Sequence, residues 1–148
     1  MILCYVALSP ASAYADELDT PVHEDPIDEI QSDSDWVTGH FSFNCTYLWV
    51  TNLVSFDAYS YCSFEWTEGI SGRFTSVSIY PLNMKINGIS ASVIDQSDIQ
   101  IESYSLGKKA TRRFLLSNLI GDHAYIEIRV FVDEYGVLSI HAVPATSL

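Results

Sequence analysis

Tyr125-Ile126-Glu127-Ile128-Arg129-Val130-Phe131-Val132-Asp133-Glu134-Tyr135-Gly136-Val137-Leu138-Ser139-Ile140-His141-Ala142-Val143 is the stretch whose reading decides the fold. Ile126, Ile128, Val130 and Val132 alternate with Glu127, Arg129 and Asp133. A period of two sends successive side chains to opposite faces of a strand, so one face is apolar and the other polar. Asp133-Glu134-Tyr135-Gly136 supplies turn chemistry, and residues 137–143 return before Pro144 stops the run. The segment reads as a β-hairpin.

The same texture extends upstream. Phe41, Phe43, Cys45, Tyr47 and Trp49 share one parity, and Phe56, Ala58, Ser60, Cys62, Phe64 and Trp66 share another. Gly69 and Gly72 mark a turn, residues 74–80 read as a strand broken by Pro81, and Leu82, Met84 and Ile86 resume the alternation. Asn87-Gly88 is a hairpin signal with residues 89–94 as its return. Residues 99–106 form a further strand closed by Gly107. Residues 108–120 fit two periods: Ala110, Phe114, Leu115 and Leu119 suit a short helix, and Ala110, Arg112, Phe114 and Leu116 suit a strand. About eight short strands with turns between them predict an all-β fold, an antiparallel β-sandwich of immunoglobulin-like or related type, with room for one short helix near 109–120. Residues 116–132, with Leu119, Gly121, Asp122, Ala124 and Tyr125 leading into the strand, are similar to the corner before a late strand in immunoglobulin-like and fibronectin-like sandwiches. The chain departs from the antibody pattern, since no Cys follows Tyr125 and the cysteines are too close in sequence to link early and late strands. The resemblance implies a fold class and no family.

The amino terminus has a different character. Residues 2–8 are apolar, Pro10 follows, and Ala13-Tyr14-Ala15 has the small-x-small form of a signal-peptidase site. The run is too short to span a bilayer, which takes about 20 apolar residues. No Lys or Arg precedes it, and a buried first strand is the bland alternative. The expectation is a secretion signal over 1–15, an acidic flexible tail or linker over 16–35, and a β-sandwich domain over 36–148, secreted or held at the cell surface. Residues 16–35 carry nine acids and no Lys or Arg, whereas the rest of the chain carries ten acids against seven bases. The formal charge of −12 therefore belongs mostly to one segment, and the domain lacks the broad basic face of a nucleic-acid binder. No membrane span is expected. Cys45 and Cys62 share the apolar parity of their strands, and in an oxidising compartment they are expected to form a disulfide; in the cytosol a pair of buried free thiols is the better reading.

Catalytic motifs are lacking. His23, His40, His123 and His141 have no metal-ligand spacing, and there is no phosphate loop, dinucleotide loop or nucleophile elbow. No metal site or cofactor is expected. Glu65 and Glu68 beside Trp66 are the nearest approach to a hydrolase carboxylate pair. Two surfaces stand out. Tyr59 and Tyr61 lie on the face opposite Cys62, interleaved with Asp57, Ser63 and Glu65, as an aromatic platform suited to a sugar or a protein partner, although ordinary cross-strand packing accounts for them too. Lys108, Lys109, Arg112 and Arg113 are four of the seven cations, and suit an anionic partner, the acidic tail or a plain solvated face. Asn44-Cys45-Thr46 matches the glycosylation sequon and, by parity, Asn44 faces outward. The function expected is a secreted, non-enzymatic binding module for an extracellular carbohydrate or protein. The alternatives are a secreted hydrolase with a site assembled from distant residues, and a secreted inhibitor or effector.

Overall fold

The computed structural model describes residues 2–4 and 29–148. Within them there is no helix, and nine strands build one antiparallel sheet nearly closed into a barrel. The strands are β1 (Ile2–Cys4), β2 (Ile30–Tyr47), β3 (Val50–Thr67), β4 (Ser71–Ile86), β5 (Ile89–Gln96), β6 (Gln100–Tyr104), β7 (Gly107–Asn118), β8 (His123–Val132) and β9 (Leu138–Ala145). Their order is β1-β2-β3-β4-β5-β7-β8-β9, with β6 paired to β7. The hairpin at 125–143 forms, with Val132 paired to Leu138, but Pro144 does not stop it: β9 runs on through Pro144, opposite Ile126, to Ala145, opposite Tyr125. Residues 109–120 are strand up to Asn118, not helix, because pairing with both β5 and β8 satisfies the backbone on each side.

The sandwich expectation holds as far as its all-β, antiparallel class. What curves one sheet toward a barrel is a change of partner within β5. Ile89 and Ser90 pair with β4, whereas Ala91, Ser92 and Val93 pair with β7. Irregularities between Ser55 and Asp57, between Ser63 and Phe64 and between Val93 and Asp95 add bends. The curled sheet brings β2 beside β9. Gly72 and Gly107 permit closure at one end: a Cβ on Gly72 would lie 2.1 Å from the Asp133 carbonyl oxygen, and one on Gly107 would lie 2.1 Å from that of Val132. Pro81 does not break β4: it lies opposite Ala58 of β3, in a stretch of β4 that is not paired with β5.

The core follows the parity read from the sequence. Phe56, Ile79, Phe114, Leu116, Ile126 and Ile128 are its largest buried members. Three expectations change. Residues 30–35 are not tail but the start of β2, paired with β3 from Gln31↔Trp66 to Asp35↔Cys62. Their acids give no apolar period, but the long partner strand offers backbone hydrogen bonds irrespective of side chain. Trp49 does not continue the strand: with Leu48 it makes the two-residue turn between β2 and β3. Cys45 and Cys62 are both buried and both free. Cys45 sits opposite Asn52 and Cys62 opposite Asp35, so ten residues of ladder separate them. That is roughly 33 Å along the strands, far beyond the ~7 Å Cα limit of a disulfide. Of the amino-terminal expectations, Ile2–Cys4 pairs with residues 30–32 of β2, and the Ala13-Tyr14-Ala15 pattern lies outside the described residues.

Candidate functional site

The β2–β3 register is one continuous ladder set by the turn at Leu48 and Trp49. It pairs Trp36 with Tyr61, Thr38 with Tyr59 and His40 with Asp57, and β4 adds Tyr80 opposite Tyr59. The even residues of β3 from Asn52 to Trp66 are buried, so Tyr59 and Tyr61 lie on the outer face as parity demands. Two ring pairs result. Trp36 and Tyr61 have centroids 4.9 Å apart at 54°, and Tyr59 stacks on Tyr80 at 6.0 Å and 13°. Trp36 is 52 % exposed and Tyr61 40 %, whereas Tyr59 and Tyr80 are half-buried. Outward residues two apart on β3 stand roughly 7 Å apart. The four rings thus step diagonally across three strands as an open aromatic row.

Beside the row lies a polar cluster. His40 Nδ1 and Asp57 Oδ1 are 2.7 Å apart, and Asn83 Nδ2 donates to Asp57 Oδ2 at 2.8 Å. The hydrogen bonds from Asn83 and then His40 hold the Asp57 carboxyl below its ordinary range, so it is ionised at neutral pH. Asn83 reaches it from a left-handed backbone position, φ 54°, at a point where β4 departs from strict alternation. In sequence alone His40 is isolated and Trp36 has no role. The signal for both was the hairpin register, hidden because Leu-Trp is not turn chemistry.

The basic group is not brought together. Alternation on β7 puts Lys108 and Arg112 on one parity and Lys109 and Arg113 on the other. Each also has an internal partner. Lys108 Nζ donates to Ser103 Oγ at 2.6 Å, Lys109 approaches Glu102 at 3.7 Å, Arg112 Nε donates to the Ser97 carbonyl at 2.8 Å, and Arg113 Nε donates to Glu127 Oε2 at 2.7 Å. Arg129 Nε donates to the other oxygen of Glu127 at 2.7 Å. Burial by itself pushes the Glu127 carboxyl up, but the two guanidinium groups more than reverse that and hold it below the usual carboxylate range.

A shallow cleft of about 210 Å³ is lined by Ile30, Glu65, Trp66, Thr67, Ser71 and Arg73. Glu65 there is ion-paired with Arg73 at 2.7 Å, and Trp66 points into the core while Glu65 points out. Glu68 does not line the cleft and Glu65 is tied to Arg73, so the two carboxylates beside Trp66 do not form a pair there. Among the described residues no group of three or more His, Cys, Asp or Glu side chains is placed to hold a metal ion. No helix among them is long and apolar enough to cross a membrane. Asn44 of the sequon is exposed. Comparison with family models, curated proteins and solved structures finds no match.

Proposed function

We propose that this chain is a secreted or surface-associated, non-enzymatic module that binds a carbohydrate on the outer face of β2, β3 and β4. The observation that carries the reading is the aromatic row Trp36–Tyr61–Tyr59–Tyr80, exposed at Trp36 and Tyr61 and flanked by the His40–Asp57–Asn83 cluster. Ring faces offer sugar rings a large apolar area from side chains with few rotamers, and an ionised carboxylate accepts hydrogen bonds from sugar hydroxyls. The ~7 Å step between outward positions is comparable with the repeat of neighbouring sugar units. A hydrolase needs a concave site with convergent polar groups. His40 and Asp57 instead lie on an open sheet face, with the His40 side chain 70 % exposed. Export would place the row where extracellular glycans occur, and cleavage after Ala15 would remove β1, which contributes three residue pairs at one end of β2.

The test is a glycan array probed with the full chain, followed by calorimetric titration of the retained oligosaccharide against Trp36→Ala and Tyr61→Ala. Retention of an oligosaccharide is expected, with affinity falling at least tenfold, about 1.4 kcal/mol, in each variant. Because both side chains are exposed, the melting temperature should stay close to that of the parent. An array on which no glycan is retained refutes the reading, as does an affinity unmoved in the folded variants.

A further inference from the structure

Three turns gather at one end of the barrel: 48–49 between β2 and β3, 87–88 between β4 and β5, and 119–122 between β7 and β8. Hydrogen bonds fix them to one another. Asn52 Nδ2 donates to the His123 carbonyl at 2.9 Å, and Asn87 Nδ2 donates to Asn52 Oδ1 at 2.9 Å and to Asp122 Oδ2 at 3.1 Å. Asn118 Nδ2 donates to Asp122 Oδ2 at 3.0 Å and to the Ile86 carbonyl at 3.1 Å. The ring of Tyr47 stacks on His123 with centroids 5.0 Å apart. On this framework stand four large apolar side chains in solvent: Trp49 at 96 % exposure, Leu119 at 94 %, Leu48 at 74 % and Ile120 at 68 %.

We propose that this end of the barrel is a membrane-docking tip, with Leu48, Trp49, Leu119 and Ile120 entering the headgroup–acyl boundary of an electrically neutral bilayer. Charge is the first argument. Residues 41–56, 86–94 and 114–121, which contain the turn tips, hold no Asp, Glu, Lys or Arg, in a chain of formal charge −12. Asp122 is turned inward onto Asn87 and Asn118. An uncharged tip on an acidic protein complements a zwitterionic surface, and anionic lipid repels the rest of the molecule. Shape is the second. The side chains project from separate turns, and a bilayer boundary receives convex apolar points without matched relief, as a folded partner does not. Trp is suited to that boundary, having an apolar body and a polar N–H. Backbone conformation is the third. Leu48 and Trp49 hold φ of 48° and 74°, a region unfavourable to bulky side chains, so the turn presents them at a conformational cost that better turn residues would avoid. The aromatic row is separate: Tyr61 lies twelve residues along β3 from the tip, roughly 40 Å of strand.

Co-sedimentation of the full chain with phosphatidylcholine vesicles tests the proposal. Binding is expected, unchanged between low and high salt, with the partition constant at least tenfold lower in L48N/W49G and, independently, in L119S/I120S. The Asn-Gly pair suits a tight hairpin turn, so L48N/W49G keeps the fold while removing the tip. Brominated phosphatidylcholine should quench emission in the parent and lose that quenching when Trp49 is replaced. Absence of sedimentation overturns the proposal. So does undiminished binding by the two variants, or binding confined to phosphatidylserine vesicles and lost in salt. Self-association abolished in L48N/W49G without vesicle binding overturns it in favour of a second copy of the chain.

Discussion

Replacing Leu48-Trp49 by Asn-Gly should make the protein more stable although it deletes two large apolar side chains. Both residues hold left-handed φ, 48° and 74°, at a cost of about 1–2 kcal/mol each for ordinary L-residues. Asn tolerates this region and Gly has no preference against it, so relief amounts to about 2–4 kcal/mol. Against it stand two losses. Trp49 is 96 % exposed and gives up almost no burial, and Leu48 is 74 % exposed, so about a quarter of a full Leu burial, some 0.6 kcal/mol, disappears. Gly adds unfolded-state entropy of roughly 0.5–1 kcal/mol. The balance is a gain of about 0.5–3 kcal/mol, or a melting temperature higher by roughly 1–12 °C for a domain of this size. Urea unfolding followed by circular dichroism measures it, with a rise in midpoint at constant m-value. A fall in midpoint would refute the reasoning, since it would mean that Leu48 and Trp49 pack against something in the folded chain and that their turn is not strained.

Two further outcomes follow from buried groups. Glu127→Gln should cost about 1–3 kcal/mol, a hydrogen-bonded charge pair discounted for the partial exposure of Arg113 and Arg129; because the folded carboxyl lies below its ordinary 4.5, its stabilisation is complete above that value and lost as pH falls through the lower folded value, so the parent-minus-variant difference in urea midpoint should shrink in acid, and a constant difference would contradict the pairing. Burial pushes the Cys45 thiol up to about 11 and also raises Cys62, so neither should react with a disulfide reagent at pH 8 until the chain unfolds, and a Cys45–Cys62 bridge found by peptide mapping would contradict the β2–β3 register.

The sequence by itself determined which side chains face inward. The odd–even division of residues 52–66, and hence the outward position of Tyr59 and Tyr61, is a consequence of the two-residue period of any strand. The hairpin at 125–143 and the Asn87-Gly88 turn carried their own local chemistry, and both form. Parity says which face a residue takes but nothing about what stands opposite, and that is where tertiary structure decided. Trp36 against Tyr61, His40 against Asp57, and the wide separation of Cys45 from Cys62 all depend on one register, set by a Leu-Trp turn that no turn propensity marks. The strand at 30–35 was equally hidden, because acidic side chains give no period and the pairing comes from the backbone of β3. Sandwich and barrel also share one alternation, and the choice between them fell to the change of partner in β5 and to Gly72 and Gly107 at the closing corner. Each of these is a contact between residues far apart in sequence, and a local pattern fixes the direction of a side chain without fixing its neighbour.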